Sequence, residues 1–263
     1  MGKVRVPPLP YPQGRGLLKD KAVLVTAAAG TGIGFATARR CLEEGARVFI
    51  SDLHERRLNE AADRLREIGP GRVALKLCDV TREDEVRALT AAAIDTMGGI
   101  DVLVNNAGLG GSVAVTEMTD EQWHKVLDVS LTSVFRMTRA VLPHMYERGS
   151  GAIVNNASVL GWRAQALQSH YAAAKAGVMA FTRCAAIEAA AHGVRINAVS
   201  PSIAMHAFLN RVTSDELLTQ LKQREAFGRT AETWEIANVI VFLASDLASY
   251  MTGEVLSVSS QRA

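Results

Sequence analysis

Lys21-Ala22-Val23-Leu24-Val25-Thr26-Ala27-Ala28-Ala29-Gly30-Thr31-Gly32-Ile33-Gly34 decides the fold. Its first six residues are a short apolar run suited to a strand buried on both faces. The glycine-rich turn follows at once, and a helical pattern from Phe35 to Glu44 comes next. Gly45 closes that pattern at a C-cap position. Strand, glycine turn and helix together bring backbone N–H groups and a helix N-terminus up to a pyrophosphate.

The same alternation continues downstream. A second strand, Arg47–Ser51, ends at Asp52, eighteen residues after Gly34. That is close to the ~20 expected for a carboxylate that accepts from the adenosine ribose hydroxyls and repels a 2′-phosphate. Arg56 and Arg57 follow, but the turn itself carries no Lys or Arg, which favours NAD over NADP. A helix over His54–Ile68 stops at Gly69-Pro70-Gly71. A third strand, Arg72–Cys78, reaches Asp79-Val80, and a helix is expected from Thr81 with Asp84 reaching back to cap it. Ile100–Val104 is the fourth strand and runs into Asn105-Asn106-Ala107-Gly108 and a flexible Leu109-Gly110-Gly111. Thr119-Asp120-Glu121-Gln122 is a capping box that opens one long helix through Glu147.

The fifth strand, Ala152–Ala157, delivers Ser158. Thirteen positions later comes Tyr171, and Lys175 four after that. A spacing of i, i+4 puts Tyr171 and Lys175 on one helix face, a turn apart. A free phenol titrates near ~10, and a neighbouring ammonium is expected to lower that value. A serine hydroxyl from another element can hold a substrate oxygen against the same phenol. The trio suits general acid/base work on an alcohol or ketone. A sixth strand, Val194–Val199, leads to Pro201. Residues 202–230 show no clear strand and suit a helical excursion that could act as a lid. A helix over Ala231–Ala244 and a last strand, Glu254–Val258, close the pattern. Strands alternating with helices, without a composition break or repeat, specify one α/β doubly wound parallel sheet of about seven strands. Gly32, Asp52, Asp79, Asn106, Ser158 and Pro201 all fall at or just after strand ends, which is where such sheets bind ligands.

Length and composition fit one large domain: 263 residues, 48% hydrophobic. A formal charge of +2 gives no nucleic-acid or membrane surface. Cys41, Cys78 and Cys184 are far apart and suit buried thiols in a reducing compartment, and the six histidines show no metal-ligand spacing. Residues 1–18 hold four of the seven prolines and are expected to be a solvated or loosely docked extension of a domain spanning 19–263. Lys175, Arg183 and Glu188 interrupt the most apolar helix, so no membrane span is expected and a cytoplasmic protein is.

Taken together, the Thr26–Gly34 turn, Asp79, Asn105-Asn106-Ala107-Gly108, Ser158, Tyr171-x-x-x-Lys175 and Asn197-Ala198-Val199-Ser200-Pro201 resemble the short-chain dehydrogenase/reductase family over residues 19–259. The resemblance implies a Rossmann-like domain and a nicotinamide cofactor. It makes Tyr171 the acid/base and has Lys175 bind the nicotinamide ribose, with Ser158 orienting the substrate. It assigns the adenosine ribose to Asp52 with Leu53, the adenine to Asp79 and Val80, and the middle of the cofactor to Asn106, Ala107 and Gly108. Thr26, Ala28, Gly32 and Ile33 in the turn, and Pro201 and Ile203 after the sixth strand, complete that site. It also implies a homo-oligomer, a tetramer built on a helix pair that includes the alanine-rich helix 168–192.

This chain departs from the family pattern at several positions. Ala27 stands for the first glycine of the turn, and the turn is one residue longer. Ser130 stands where a proton-relay asparagine is usual. Ser202 replaces a glycine after Pro201, His206 falls where a carboxamide-binding threonine often sits, and the last strand ends in Ser259-Ser260. With Asn155–Gln165 and Ser200–Ala204, these features resemble a bacterial steroid-degradation subgroup. Its members act on the hydroxylated methyl-oxo-hexahydroindene-carboxyl-CoA left from sterol rings C and D. Two other readings stay open: an NADPH-linked 3-oxoacyl-type reductase, and a nucleotide-binding homologue without turnover, which Ser130 would favour.

Overall fold

The computed structural model describes residues 6–205 and 215–260. Seven parallel strands form one sheet in the order β3-β2-β1-β4-β5-β6-β7. They are β1 (Ala22–Val25), β2 (Arg47–Asp52), β3 (Val73–Leu77), β4 (Val102–Asn105), β5 (Gly151–Asn156), β6 (Val194–Pro201) and β7 (Val255–Val258). The order reverses between β1 and β4, which opens a crevice at the carboxyl edge. Helices α1 (Ile33–Glu43), α2 (Glu55–Ile68) and α3 (Glu83–Met97) connect the first four strands. Next come α4 (Asp120–Leu127), α5 (Ser133–Arg148), α6 (Ser169–Ala190), α7 (Asp215–Arg224) and α8 (Thr233–Ala244).

The strands are apolar on both faces because both faces are covered. Val23 and Val25 of β1 join Ala38, Leu42, Leu58, Leu65, Ile236 and Ile240 under α1, α2 and α8. The alternate residues Ala22 and Leu24 join Val86, Leu89, Met137, Val141 and Met145 under α3 and α5. Burying a Val, Leu or Ile side chain contributes about 1.5–3 kcal/mol, so these two layers fix the register of every strand.

Several local expectations change. The helix expected from Thr81 begins at Glu83, and no side chain caps it. Asp79 captures the Thr81 N–H and hydroxyl instead, at 2.9 and 2.7 Å, while Asp84 pairs with Arg82. A short Asx-type turn has outcompeted the capping box. The Thr119/Gln122 capping box forms as expected. The long helix behind it, however, is interrupted by a π turn at Asp128–Thr132, a feature common near functional sites. Cys184 is exposed, whereas Cys41 and Cys78 are buried. In the excursion after Pro201, α7 is helical. His206 and its suggested role lie outside the described residues.

The described part of the proline-rich segment takes the docked arrangement of the two expected, although most of residues 6–16 remain exposed. Leu18 is fully buried. Glu44, itself 1% exposed, accepts from the Arg15 and Leu17 amides and from Arg40 at 2.6–3.0 Å. Tyr11 donates to Glu43 at 2.7 Å and packs edge-on against Trp234. Burial, reinforced by Glu43, pushes the Tyr11 phenol up to about 12. Glu44→Ala would therefore leave two amides without their acceptor and Arg40 with Glu43 as its remaining carboxylate partner. We expect a loss of about 2–4 kcal/mol in urea unfolding; a loss below about 1 kcal/mol would mean that the segment is held by its apolar contacts alone.

Candidate active site

Every strand end that the sequence singles out lies on the carboxyl edge of the parallel sheet. Thr26, at the end of β1, sits against β4: its hydroxyl accepts from the Asn106 and Ala107 amides at 3.0 and 3.3 Å. The Asn106 side chain donates back to the Thr26 and Ala27 carbonyls at 3.2 and 3.0 Å. Ala27 has φ +51°, a left-handed backbone in which a side chain costs of order 1 kcal/mol. That strain explains why glycine is usual at this position. Gly34 is required for space, because a Cβ there would stand 2.4 Å from the Ala27 oxygen and 2.5 Å from Asn106 Nδ2.

The turn fits a dinucleotide. No side chain caps the N-terminus of α1, and a Cβ on Gly32 would meet nothing within 4 Å. Amides and the positive end of the helix dipole are thus free to face an anion. Ala28 is buried beneath the turn and Ile33 opens α1. At the end of β2, Asp52 accepts from the Ala29 and His54 amides, both at 3.1 Å, and neighbouring Leu53 is 57% exposed. Burial raises the Asp52 carboxyl above its ordinary value, opposed by the Ala29 N–H and Arg57. Arg64 of α2 also reaches the turn, donating to the Gly30 carbonyl at 3.4 Å, a basic neighbour not visible in local sequence. Val80 is buried beyond Asp79; Pro201 is buried and Ile203 half-buried at the end of β6.

The centre of the site is Lys175. Its side chain is 2% exposed and its Nζ donates to the Asn156 carbonyl at 2.6 Å. Burial pulls its pKa down to about 8. Its Nζ lies 5.6 Å from the centre of the Tyr171 ring, and a hydrogen bond joins Tyr171 to Ser158. The expected lowering of the phenol by Lys175 is not what this arrangement produces. Burial raises the Tyr171 pKa, and only the Ser158 bond opposes it. The sequence overlooked Asn156, whose carbonyl holds Lys175 and whose side chain donates to Asn106 Oδ1 at 3.0 Å. The signal was available: two adjacent asparagines inside an otherwise apolar buried strand.

Ser130 is fully buried within the π turn. Its hydroxyl donates to the Leu109 carbonyl and accepts from the Leu109 amide, both at 2.9 Å. The loop expected to be flexible is thus pinned at Leu109. Gly108 lies against the lysine: a Cβ there would sit 3.3 Å from Lys175 Nζ and 3.9 Å from Ser130 Oγ.

A Lys175 pKa lowered from 10.5 to about 8 corresponds to roughly 3 kcal/mol disfavouring the buried ammonium. Between those pH values the unfolded chain holds a proton that the folded chain has lost, so stability rises with pH. Lys175→Met abolishes that dependence and leaves the Asn156 carbonyl unpaired, at about 1–2 kcal/mol. We expect the variant to be more stable by about 1–2 kcal/mol at pH 7, with the balance moving towards wild type between pH 8 and 10.5. A difference in thermal stability that stays constant over that range would rule out a strained lysine.

The chain is similar to known proteins over nearly its whole length. A model of the family described as enoyl-(acyl carrier protein) reductase matches residues 27–260. The (5R,7aS)-5-hydroxy-7a-methyl-1-oxo-2,3,5,6,7,7a-hexahydro-1H-indene-carboxyl-CoA reductase of Mycobacterium tuberculosis is 65% identical over 249 residues, covering 94% of this chain and 95% of that protein. A 3-oxoacyl-(acyl-carrier-protein) reductase of Vibrio cholerae is 38% identical, covering 92% of this chain and 97% of its own. The crystal structure of a short chain dehydrogenase from Mycobacterium smegmatis superposes with a TM-score of 0.85 at 61% identity, covering 95% of this chain and 96% of that one. The chain belongs to the short-chain dehydrogenase/reductase family of oxidoreductases.

Proposed function

We propose that the protein is an NAD-linked oxidoreductase that interconverts a secondary alcohol and a ketone on a steroid-derived bicyclic acyl-CoA, the hydroxy-methyl-oxo-hexahydroindene-carboxyl-CoA. The observation that carries the reaction is the buried Lys175 beside the Tyr171/Ser158 pair at the carboxyl edge of the sheet. The substrate comes from the printed activity of the 65%-identical relative. The nicotinamide dinucleotide supplies hydride transfer when bound. Tyr171 moves the proton at its phenolic oxygen, and Ser158 holds the substrate oxygen against it. Lys175 places positive charge where the phenolate forms, and binds the nicotinamide ribose. Ser130 acts as a positioning residue through Leu109.

Asp52 supports NAD, since its carboxylate sits at the end of β2 to accept from ribose hydroxyls and repel a 2′-phosphate. Arg57 and Arg64 beside the same turn favour the alternative NADPH-linked 3-oxoacyl reductase reading. The dinucleotide is held by the turn residues Thr26, Ala28, Gly32 and Ile33, by Asp52, Leu53, Asp79 and Val80, and by Asn106 to Gly108, with Pro201 and Ile203 on the nicotinamide side. Residues 19–263 form the catalytic domain and residues 1–18 its extension.

Assembly and location complete the proposal. Ala173, Ala176, Ala180 and Ile187 share an exposed face of α6, the last 79% exposed. A face of small side chains admits a second helix closely, and closed two-fold assemblies are the common case. We place the protein in a homotetramer. Free Cys41, Cys78 and Cys184 suit a reducing cytoplasm. Among the described residues no helix is long and apolar enough to cross a membrane.

Two experiments test this. With the bicyclic thioester and NAD⁺, Tyr171→Phe should lose roughly 10²–10⁴-fold in turnover while still binding the cofactor; retention of half the rate would refute the acid/base role. Asp52→Ala should shift the ratio of NAD to NADP affinities towards NADP by at least about tenfold, or about 1.4 kcal/mol. An unchanged ratio would remove Asp52 from the cofactor site.

A further inference from the structure

The loop between β4 and α4 runs along the start of α6, and its glycines face that helix one after another. A Cβ on Gly108 would lie 3.3 Å from Lys175 Nζ, one on Gly110 3.8 Å from the Tyr171 ring, and one on Gly111 2.9 Å from His170 Nε2. His170 therefore continues the line of Lys175 and Tyr171, on the far side of the phenol. A cavity of about 180 Å³ opens there, between the glycine loop, His170 and α4, with Gln122 and Lys125 in its wall.

The wall of this cavity carries two basic side chains, His170 and Lys125. His170 is 1% exposed, and its Nδ1 is buried with no hydrogen bond. Burial pushes the imidazole pKa down, so near neutral pH it carries one donor and one acceptor rather than a charge. Lys125 is exposed at the cavity wall, and no ion pair engages it among the described residues. At about 180 Å³ the space lies below the ~300–1,000 Å³ of sites that bury a drug-sized ligand, and suits a small polar group.

We propose that this cavity is a subsite for the acyl end of the substrate, in which the Nε2–H of neutral His170 donates to the acyl carbonyl and Lys125 attracts the acidic carrier arm outside. The proposal rests on the oxidoreductase reading above and extends it, making His170 a specificity-determining residue. A site built to hydrogen-bond a substrate group discriminates strongly against analogues that lack it. The subsite should select thioesters over plain cyclic alcohols.

The probes are 4-hydroxycyclohexanecarboxyl-CoA and cyclohexanol. Binding of the thioester to the protein saturated with NADH, which cannot oxidise it, is measured by calorimetry, and turnover of cyclohexanol with NAD⁺ separately. His170→Phe should weaken thioester binding at least about tenfold, and His170→Gln, which keeps a donor, by less than about threefold. Lys125→Gln should weaken it about threefold or more, in a way that vanishes at high salt. None of the three should change kcat/KM for cyclohexanol more than about twofold. Wild-type thioester affinity in both His170→Phe and Lys125→Gln would overturn the proposal, and so would equal losses on thioester and cyclohexanol, which mark a structural role. Calorimetry judges the subsite. Failure of the wild type to oxidise any alcohol would instead count against the reaction itself.

Discussion

The structure turns on an ammonium group buried against a backbone carbonyl. Lys175 has lost nearly all contact with water, and among the described residues its hydrogen-bond partner is the Asn156 oxygen. Such a charge is tolerated only where the surroundings are fixed. Here they are fixed by a chain of amide contacts across the crevice. Asn156 bonds Asn106, and Asn106 bonds the carbonyls of Thr26 and Ala27. That chain ties β5 to β4 and β4 to β1, across the point where the strand order reverses. A second one lies just beneath it: Asn105 bonds Asn155 and Thr138, and Asn155 bonds Thr182. The glycine turn and the Tyr171 helix are therefore two ends of one polar framework in an apolar sheet. Low dielectric strengthens each of its bonds and makes any broken one costly.

That framework explains both strained features of the site. Ala27 holds a left-handed conformation because its carbonyl must face Asn106. Lys175 holds a depressed pKa because burial disfavours its ammonium form. Stability given up at such positions is the usual companion of a preorganised site. Ser130 adds a different constraint. By gripping both the amide and the carbonyl of Leu109, it sets the height of the glycine loop above Lys175 and Tyr171. A short hydroxyl inside a π turn thus orders a loop whose sequence alone suggests freedom.

Much of this was legible in the sequence because it depends on period and spacing. The strands, their order of connection and the convergence of Gly32, Asp52, Asp79, Asn106 and Ser158 follow from apolar runs ending at polar residues. What was hidden depends on tertiary competition. Asp79 took Thr81 from a helix cap, and the π turn at Asp128–Thr132 broke a helix whose hydrophobic spacing looks continuous. The direction of the Tyr171 pKa was also hidden. One helical turn fixes the Tyr171–Lys175 spacing, but burial, which raises the phenol, is set by the whole fold. Likewise Pro7 to Pro12 suggested a loose arm, while the anchor that holds it, the Glu44 carboxylate, lies at the far end of α1.

The central claim is that Lys175 is a buried ammonium held at the edge of deprotonation. Its side-chain nitrogen can be followed directly by NMR in protein labelled at lysine Nζ, with the resonance assigned by substitution. The account predicts a titration midpoint near 8, well separated from the exposed lysines. A midpoint at the ordinary value of about 10.5 would show a solvated lysine, and would contradict the framework on which the proposed chemistry depends.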